Sequence, residues 1–569
     1  MSALPGLVRA DVGSQDSLGA LLDDALVMHK SSVALIEASR HREASRWTYL
    51  EVRRAASRVA RALQDAGIGA DDRVAICMSN QPFWLIVATA CFVRGAVVVP
   101  LDFKLTAPEQ QALLRHSGAR LLVTEYGLYR RASDPWGVEV WVSEAPEGAE
   151  GVRRLEDLPD GPEPTRVSRA RTDLATVVYS SGTGGTPKGC MLSHGAYLSQ
   201  LDALLSVFPM APGDRYFSIL PTNHAIDFMC GFVGAFVCGA TVVHQRTLRP
   251  EMLRATLQRY AITHMAVVPL VLEAFARTLD ERLDALPDWK RVALDTVIRA
   301  NAAATARGPR HGVSKRLLKP IHDAFGGELR LIFCGGAPTD RRLAERFYEL
   351  GIPVVIGYGL TEACTVATVN RLTPFRADSV GCAVDGVEVR IAEPDASGVG
   401  QVLVRGPTLM DGYLDAPELT AETLIDGWLQ TGDLGWLDAS DHLHLVGRAK
   451  NMIVTPGGKN VYPEDIEALL SDIPVGALVI YASSYLFPGE GLEYGELIAV
   501  VQPEDDAPTW QAALTQRNRR LPDFKRLSGV LVWDEEWPLT ASMKVKRGVL
   551  ADRIRTAHTR ADVRALEAR

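Results

Sequence analysis

Hydrophobic and polar residues in the first part of the chain alternate between the spacing of helices and that of short strands. Leu18 to Met28 has helical spacing. Leu50 to Ala66 follows Thr48 in a capping position, has apolar residues three to four apart, and stops at Gly67. Shorter apolar segments predict a further helix at Trp84 to Phe92 and strands at Val74 to Met78, Ala96 to Pro100 and Leu121 to Thr124. Strands that alternate with helices predict βαβ units and a largely parallel sheet.

Composition and charge then exclude several classes of protein. The chain has 569 residues, so we expect more than one domain, and its formal charge of -8 gives no basic surface for nucleic acid. Eight cysteines are scattered without C-x-x-C spacing, and no apolar signal segment opens the chain. The longest apolar run, Phe83 to Val93, is far shorter than the ~20 residues of a membrane span. We therefore expect a cytoplasmic protein without a transmembrane segment.

The stretch with the clearest chemistry is Tyr179 to Gly189, YSSGTGGTPKG, which follows the apolar run Leu174 to Val178. A strand that leads into a loop of glycines and hydroxyls ending in a lysine suits the binding of a polyphosphate. A Walker loop is excluded because Pro187 precedes Lys188 and no hydroxyl follows it. A mobile glycine linker is less favoured, since strand-like residues flank the loop. The sequence predicts a nucleotide enzyme.

This loop resembles the phosphate loop of the AMP-forming adenylate-forming superfamily, with Gly184 in place of a second threonine. The resemblance covers the chain from about Thr48 to Arg547. After the loop, further motifs of that superfamily follow in order: LPTNH, GGAP, YGLTE, TGD, GRAK, GGKNVYPEDIE and PLTASMKVKR. Helical segments between Leu286 and Gly327 are nearest to those of medium- and long-chain fatty acyl-CoA synthetases. The resemblance implies an α/β fold: a large N-terminal domain of parallel βαβ sheets with a β-rich subdomain, and a small, mobile α+β C-terminal domain. The implied domain bounds are 1–449 and 450–569.

The resemblance also implies roles for individual residues. Glu362 and Thr183 would hold magnesium, and Lys544 would bridge the substrate carboxylate and the α-phosphate. His224 would lie beside the acyl group. The residues implied to bind the phosphates of ATP are Ser180, Ser181, Gly182, Thr183, Gly184, Thr186, Lys188 and Thr361.

Other residues would bind the nucleoside or move the small domain. Tyr358 would stack on adenine beside Gly336, Ala337, Pro338 and Gly359, because strands that end in glycines let a flat ring approach the backbone. Asp433 and Arg448 would contact the ribose, and Lys450 would be the hinge pivot. Gly457 and Gly458, in a predicted turn of the small domain, would with Lys450 also belong to the cofactor-binding residues.

The substrate class follows from the segment after His224. Relatives that activate amino acids place an aspartate just after this histidine, where the present chain has Ala225. Asp227 lies two residues further and would project about 200° away from Ala225 on a helix. We therefore expect a hydrophobic carboxylic acid without an α-amino group, of the fatty or aryl-alkyl type.

Three functions stay open at this stage. The first is an ATP- and Mg²⁺-dependent acyl-CoA synthetase that forms acyl-AMP and pyrophosphate and then acylates CoA. The second is an acyl-AMP ligase that loads the phosphopantetheine thiol of an acyl carrier protein. The third, a non-catalytic nucleotide- or acyl-binding relative, is disfavoured because Glu362, Asp433 and Lys544 are all present.

Overall fold

The computed structural model describes residues 11–40, 42–131, 136–180, 188–454, 460–471, 473–488, 496–503, 509–539 and 545–566. The chain divides into two compact units. One comprises Met1–Val389 with Val404–Leu429, and the other comprises Arg390–Leu403 with Gln430–Arg569. The domain boundary predicted between residues 449 and 450 lies within the second unit. That a mobile domain begins at residue 450 stays a prediction.

The first unit contains two large sheets. In the nine-stranded sheet, the six strands from Val354–Tyr358 to Val33–Ala38 pair with one another in parallel, and antiparallel strands complete both ends. Its strand order is Cys382–Ala383, Thr368–Val369, Val354–Tyr358, Leu331–Gly335, His264–Val267, Arg215–Ser218, Thr241–His244, Val33–Ala38 and Glu43–Thr48.

The eight-stranded sheet is parallel from Leu174–Ser180 onward, while its first two strands are antiparallel to their neighbours. Its order is Gly412–Tyr413, Lys188–Ser193, Leu174–Ser180, Val97–Pro100, Arg73–Cys77, Leu121–Glu125, Glu139–Ser143 and Arg153–Arg154. The α/β class and the three strands predicted near the start of the chain are confirmed, with ends that differ by one residue.

Helices connect these strands. Those of the first unit are Leu18–Met28, Tyr49–Asp65, Pro82–Val93, Ala107–Ser117, Tyr126–Tyr129, His194–Val207, Ala225–Asp227, Ala235–Val237, Pro250–Tyr260, Pro269–Asp284, Asp288–Thr305, His311–Leu317, Lys319–Ala324, Arg341–Glu349 and Pro417–Thr423. A π-helical segment, Phe228–Gly234, and a 3₁₀ turn, Thr361–Ala363, belong to the same unit.

The predicted helix after Thr48 shows how local sequence fixes an element. The Thr48 side chain accepts from the backbone N–H of Glu51, and the Glu51 side chain accepts from Thr48, which together satisfy two N–H groups at the start of the helix. Val52, Ala56 and Val59 bury one face of this helix, whereas its other face carries arginines. The apolar helix Pro82–Val93 is buried on nearly every side, so its hydrophobicity reflects a core position.

The second unit is built on a four-stranded sheet in the order Val475–Ala482, Leu497–Pro503, Leu527–Val532 and Arg564–Ala565. Its helices are Pro463–Leu469, Ser483–Leu486, Thr509–Asn518 and Arg547–Ala557, with 3₁₀ turns at Ala449–Asn451, Asp523–Lys525 and Arg560–Asp562. A two-stranded pair joins Ile453–Val454 and Asn460–Val461. Ile480, Leu497, Val501 and Leu514 are among the residues of its core.

A further five-stranded sheet has the order Glu388–Ala392, Gly400–Arg405, Trp428–Leu437 and Leu424–Ile425, and Leu443–Arg448 pairs with Trp428–Leu437. These short strands form the β-rich part that the resemblance implied. Within the described part of the chain, no helix combines the length and the apolar character needed to cross a bilayer.

Candidate active site

The two strands that flank the predicted phosphate loop form an antiparallel hairpin in which Ser180 lies opposite Lys188. This register brings the first hydroxyl and the terminal lysine of the motif together at the mouth of the loop. The Lys188 ammonium lies over the ring of Tyr413, 5.3 Å from its centroid. Five predicted phosphate and metal ligands, Ser181, Gly182, Thr183, Gly184 and Thr186, lie outside the described residues.

Glu362 reaches the same hairpin from a different sheet. It lies in the 3₁₀ turn after the strand Val354–Tyr358, and its Oε1 accepts hydrogen bonds from Tyr413 Oη at 2.9 Å and Ser180 Oγ at 3.4 Å. The backbone N–H of Met410 donates to the Glu362 carbonyl at 2.9 Å. The predicted magnesium ligand is thus held beside both ends of the phosphate loop.

Tyr413 is the residue of this cluster that sequence reasoning missed. Burial and the nearby Glu362 carboxylate raise the pKa of the Tyr413 phenol, so it stays a neutral hydrogen-bond donor at physiological pH. Its position is fixed because Tyr413 lies opposite Cys190 in the edge strand of the eight-stranded sheet. No sequence signal points to this contact, since Tyr413 and Glu362 are 51 positions apart and Tyr413 belongs to none of the motifs named above.

The glycines predicted to admit adenine are mostly required by packing. A Cβ on Gly359 would come within 1.7 Å of the Thr365 carbonyl oxygen, and one on Gly357 within 2.5 Å of the Phe333 ring. Gly336 differs, because it has a φ of +84° and only Val268 nearby, at 3.8 Å. Close packing therefore accounts for the lack of a side chain at Gly357 and Gly359, whereas Gly336 has open space beside it. The contact of Gly336 and Gly359 with adenine stays a prediction.

The remaining residues predicted for this side of the site follow the two strand ends. Ala337 and Pro338 continue from Gly336 after the strand Leu331–Gly335, Tyr358 closes the strand Val354–Tyr358 and is nearly buried, and Thr361 opens the 3₁₀ turn that carries Glu362. Neighbouring parallel strands, Leu331–Gly335 and Val354–Tyr358, bring these residues to the same edge of the sheet.

In the second unit, Asp433 and Arg448 lie opposite each other on paired strands and form an ion pair of 2.7 Å between Nε and Oδ1. The backbone N–H of Asp433 donates to Thr431 Oγ1 at 3.0 Å. The two residues predicted to contact a ribose are therefore adjacent. Lys450 is exposed in the 3₁₀ turn Ala449–Asn451, whereas Gly457, Gly458 and Lys544 lie outside the described residues.

His224 follows the strand Arg215–Ser218 and precedes the short helical turn Ala225–Asp227. It is partly exposed, and its backbone N–H donates to the Pro221 carbonyl at 2.9 Å. Asp227 is buried and accepts hydrogen bonds from Tyr216, Ser218 and Thr222. The carboxylate nearest to His224 in sequence is therefore already engaged by hydroxyls of the protein.

Glu362 and Ser180 offer oxygen ligands to a magnesium ion. Among the residues that the structure describes, no group of three or more His, Cys, Asp or Glu side chains is arranged to hold one. Glu362 with the hydroxyl of Ser180 nevertheless fits magnesium, which prefers oxygen ligands and is commonly bound by one or two carboxylates together with substrate phosphates.

The chain is similar in sequence to a known enzyme family and to several known enzymes. The model of the family described as AMP-binding enzyme matches residues 22–414. A feruloyl-CoA synthase of Amycolatopsis sp is 30% identical over 520 residues, covering 88% of this chain and 92% of the relative. The long-chain-fatty-acid–CoA ligase FadD15 of Mycobacterium bovis is 28% identical over 555 residues, covering 89% and 91%.

A solved structure of similar fold is o-succinylbenzoate coenzyme A synthetase of Bacillus subtilis in complex with ATP and a magnesium ion. Its TM-score is 0.71 at 23% identity, with 94% of this chain and 99% of that chain covered.

Proposed function

Since the chain belongs to the family of AMP-binding enzymes, we propose that it activates a hydrophobic carboxylic acid with ATP and transfers the acyl group to the thiol of CoA. It is an AMP-forming acid–thiol ligase. In the first step a carboxylate oxygen of the acid attacks the α-phosphorus of ATP, and the bond from that phosphorus to pyrophosphate breaks. In the second step the thiol attacks the acyl carbonyl and AMP leaves.

The observation that supports this chemistry best is the hydrogen bonding of Glu362 to both Ser180 and Tyr413. Lys188 lies opposite Ser180 and over the ring of the same tyrosine. The first step brings an anion to a polyanion, so fixed positive charge and oriented donors are the main means of lowering its barrier. Lys188 would supply positive charge at the phosphates, while Tyr413 and Ser180 orient the Glu362 carboxylate. A magnesium ion bound to Glu362 would neutralise further phosphate charge.

We extend the proposal to the other residues of the motifs. Tyr358, Gly336, Ala337, Pro338 and Gly359 would bind adenine, Thr361 a phosphate, and Asp433 with Arg448 the ribose hydroxyls. Ser181, Gly182, Thr183, Gly184 and Thr186 would bind phosphates, and Thr183 would share the magnesium ion. Lys544 would bridge the acid and the α-phosphate, Lys450 would act as the pivot, and Gly457 with Gly458 would approach the second substrate.

A fatty or aryl-alkyl acid is the substrate class that we propose. Ala225 offers no charge for a substrate ammonium group, and Asp227 is buried with three hydroxyls bound to its carboxylate. If the Asp227 carboxylate instead paired with a substrate ammonium group, those hydrogen bonds would be lost. The names of the relatives agree with this class, because feruloate is an aryl acid and the second relative acts on long-chain fatty acids.

The acceptor thiol separates this proposal from the carrier-protein alternative. Both relatives named above are CoA enzymes, which favours free CoA.

The test is to follow pyrophosphate release and thioester formation across a panel of fatty, aryl-alkyl and amino acids, each with CoA, with a phosphopantetheinylated carrier protein, or with neither. We expect thioester with CoA for fatty or aryl-alkyl acids. Thioester only on the carrier protein would establish the alternative, and activation confined to amino acids would contradict the substrate class.

A further inference from the structure

A network of uncharged polar groups around one carboxylate lies in the core of the first unit, on the segment that leads to His224. Asp227 is 1% exposed and accepts from Tyr216 Oη at 3.1 Å, Ser218 Oγ at 2.8 Å and Thr222 Oγ1 at 3.1 Å. All three donors come from the strand Arg215–Ser218 or from the loop just after it. The carboxylate therefore binds the end of this strand through three separate hydrogen bonds.

A second side chain holds the same loop from the other large sheet. Asn80, which follows the strand Arg73–Cys77, donates to the Leu220 carbonyl at 2.7 Å and to Ser218 Oγ at 3.1 Å. Its Oδ1 accepts from the backbone N–H of Thr222 at 3.1 Å. Thr222 is thus held at its backbone by Asn80 and at its side chain by Asp227.

This arrangement closes a short loop with His224 inside it. Thr222 and Asp227 lie on either side of His224 in sequence, and the hydrogen bond between their side chains joins the two ends. The helical turn adds a bond from the Phe228 N–H to the His224 carbonyl at 3.0 Å. The backbone on both sides of His224 is therefore fixed by specific polar contacts.

The packing of apolar side chains in the core does not explain why a carboxylate occupies position 227. Burying an ionisable group in a core costs free energy, and burial raises the pKa of Asp227 to about 7 despite three hydroxyl donors. The adjacent π-helical segment is adapted to it, since a Cβ on Gly231 would come within 2.8 Å of Asp227 Oδ1 and 2.7 Å of the Tyr216 ring. A group that is costly to bury and closely fitted by its neighbours suits a role in fixing geometry.

We propose that Asp227 is a positioning residue, which acts through Thr222 to hold His224 in the orientation that receives the acyl group of the substrate. The inference rests on the proposed function of the site, where His224 lies beside the acyl group. Asp227 does not itself contact the substrate; its effect passes through the closed loop from Thr222 to Asp227.

The test is a double-mutant cycle of Asp227→Asn and His224→Ala, with the KM for the acid and for ATP measured separately. Asparagine keeps the volume of the side chain but replaces one accepting oxygen with a donor, so the three hydroxyls cannot all remain bound as they are. We expect Asp227→Asn to raise the KM for the acid about tenfold in the wild-type background and less than about twofold when His224 is already alanine. The KM for ATP should stay within about twofold of the wild-type value.

Two further variants separate positioning from loss of stability. Thr222→Val removes the hydroxyl that closes the loop while keeping the side-chain shape, and it should raise the KM for the acid in the same direction. Thr256→Val is the matched control, because Thr256 is equally buried in this unit and donates its hydroxyl to Gln245. It should lower the melting temperature without changing either KM.

An equal effect of Asp227→Asn in both backgrounds, or an equal rise in the KM for acid and ATP, would overturn the inference. If Asp227→Asn does not fold, the same comparison with Thr222→Val decides the question. A wild-type enzyme that activates no acid would refute the proposed function instead, so the two failures are distinguishable.

Discussion

Two carboxylates of the first unit are held by the same kinds of donor in very different surroundings. Glu362 accepts from a tyrosine and a serine at the edge of the phosphate-loop hairpin, and Lys188 lies over the ring of that tyrosine. Asp227 accepts from a tyrosine, a serine and a threonine, but it is fully buried, and burial raises its pKa to about 7. The donors are alike. Glu362, however, is partly exposed and has a lysine on its tyrosine partner, whereas Asp227 is buried.

The difference shows what burial does to a carboxylate. At Glu362 the hydroxyls orient a group that lies at the mouth of the loop, where phosphates and magnesium would bind. At Asp227 the hydroxyls occupy the carboxylate oxygens inside the protein, and the bond from Thr222 links the two ends of the segment that contains His224. We infer that Glu362 serves the chemistry directly and that Asp227 serves it only through protein geometry.

The largest expected effect is on Glu362. Glu362→Gln keeps the size of the side chain but removes its charge, so we expect adenylation to fall about 10²–10³-fold, comparable to the loss of one preorganised electrostatic group. The free energy of unfolding should change by less than about 1 kcal/mol, because the side chain is partly exposed. Acid-dependent pyrophosphate release and urea unfolding measure the two quantities. Glu328→Gln, which affects an ion pair with Lys315, is the control and should leave adenylation unchanged.

The second prediction concerns the pH dependence of stability and Asp227. Its pKa is raised from 3.8 to about 7 in the folded state, so the folded protein binds the proton more tightly than the unfolded chain does. The Asp227 contribution to stability therefore falls as pH rises from about 4 to 7 and is constant outside that window. Its titrating neighbours are Tyr216 and Cys230, whose own pKa values are raised above the physiological range.

Asp227→Asn removes this dependence. Between about pH 5 and pH 8 we expect the free energy of unfolding of wild type to fall relative to that of the variant by on the order of 3 kcal/mol, from two pKa units at 1.36 kcal/mol each. Urea denaturation of both proteins at the two pH values measures it. A constant difference between them would mean that the carboxylate does not titrate in this range.

The third prediction tests whether Tyr413 orients Glu362. Tyr413→Phe removes one hydrogen bond to a charged group, and we expect adenylation to fall about tenfold, less than in Glu362→Gln. Tyr348→Phe is the matched control, since the Tyr348 hydroxyl donates to the Leu372 carbonyl in the same unit. If Tyr413→Phe and the control behave alike, the tyrosine is only a packing residue.

The smallest effect is expected at Asp433, a carboxylate whose partner is a cation. Arg448 is 39% exposed, so solvent screens the ion pair, and Asp433→Asn should cost less than about 1 kcal/mol of stability. The KM for ATP should rise about fivefold, as expected for the loss of one hydrogen bond to a ribose hydroxyl. A large loss of stability with no change in the KM for ATP would assign the pair to the fold alone.

Most of the secondary structure near the start of the chain was predictable because it depends on local signals. Leu18–Met28 has the predicted bounds, and the capping box of Thr48 and Glu51 marks the start of the next helix. Loop motifs likewise predicted where Ser180, Lys188 and Glu362 fall along the chain.

Contacts between distant segments were not predictable from one sequence. The bond from Tyr413 to Glu362 and that from Thr222 to Asn80 join residues 51 and 142 positions apart, and neither pair follows a periodic pattern. The packing role of the strand-end glycines was not predictable for a related reason. Whether a missing side chain serves a ligand or a neighbouring backbone, as with Thr365 above Gly359, depends on tertiary packing.

The measurement that tests the central claim most directly is acid-dependent exchange of pyrophosphate into ATP, compared between wild type, Glu362→Gln and Asp227→Asn at saturating acid. The account predicts robust exchange in wild type, a loss of about 10²–10³-fold in Glu362→Gln, and near-normal exchange in Asp227→Asn once the acid is saturating. Exchange that is absent from wild type, or unaffected by Glu362→Gln, would contradict it.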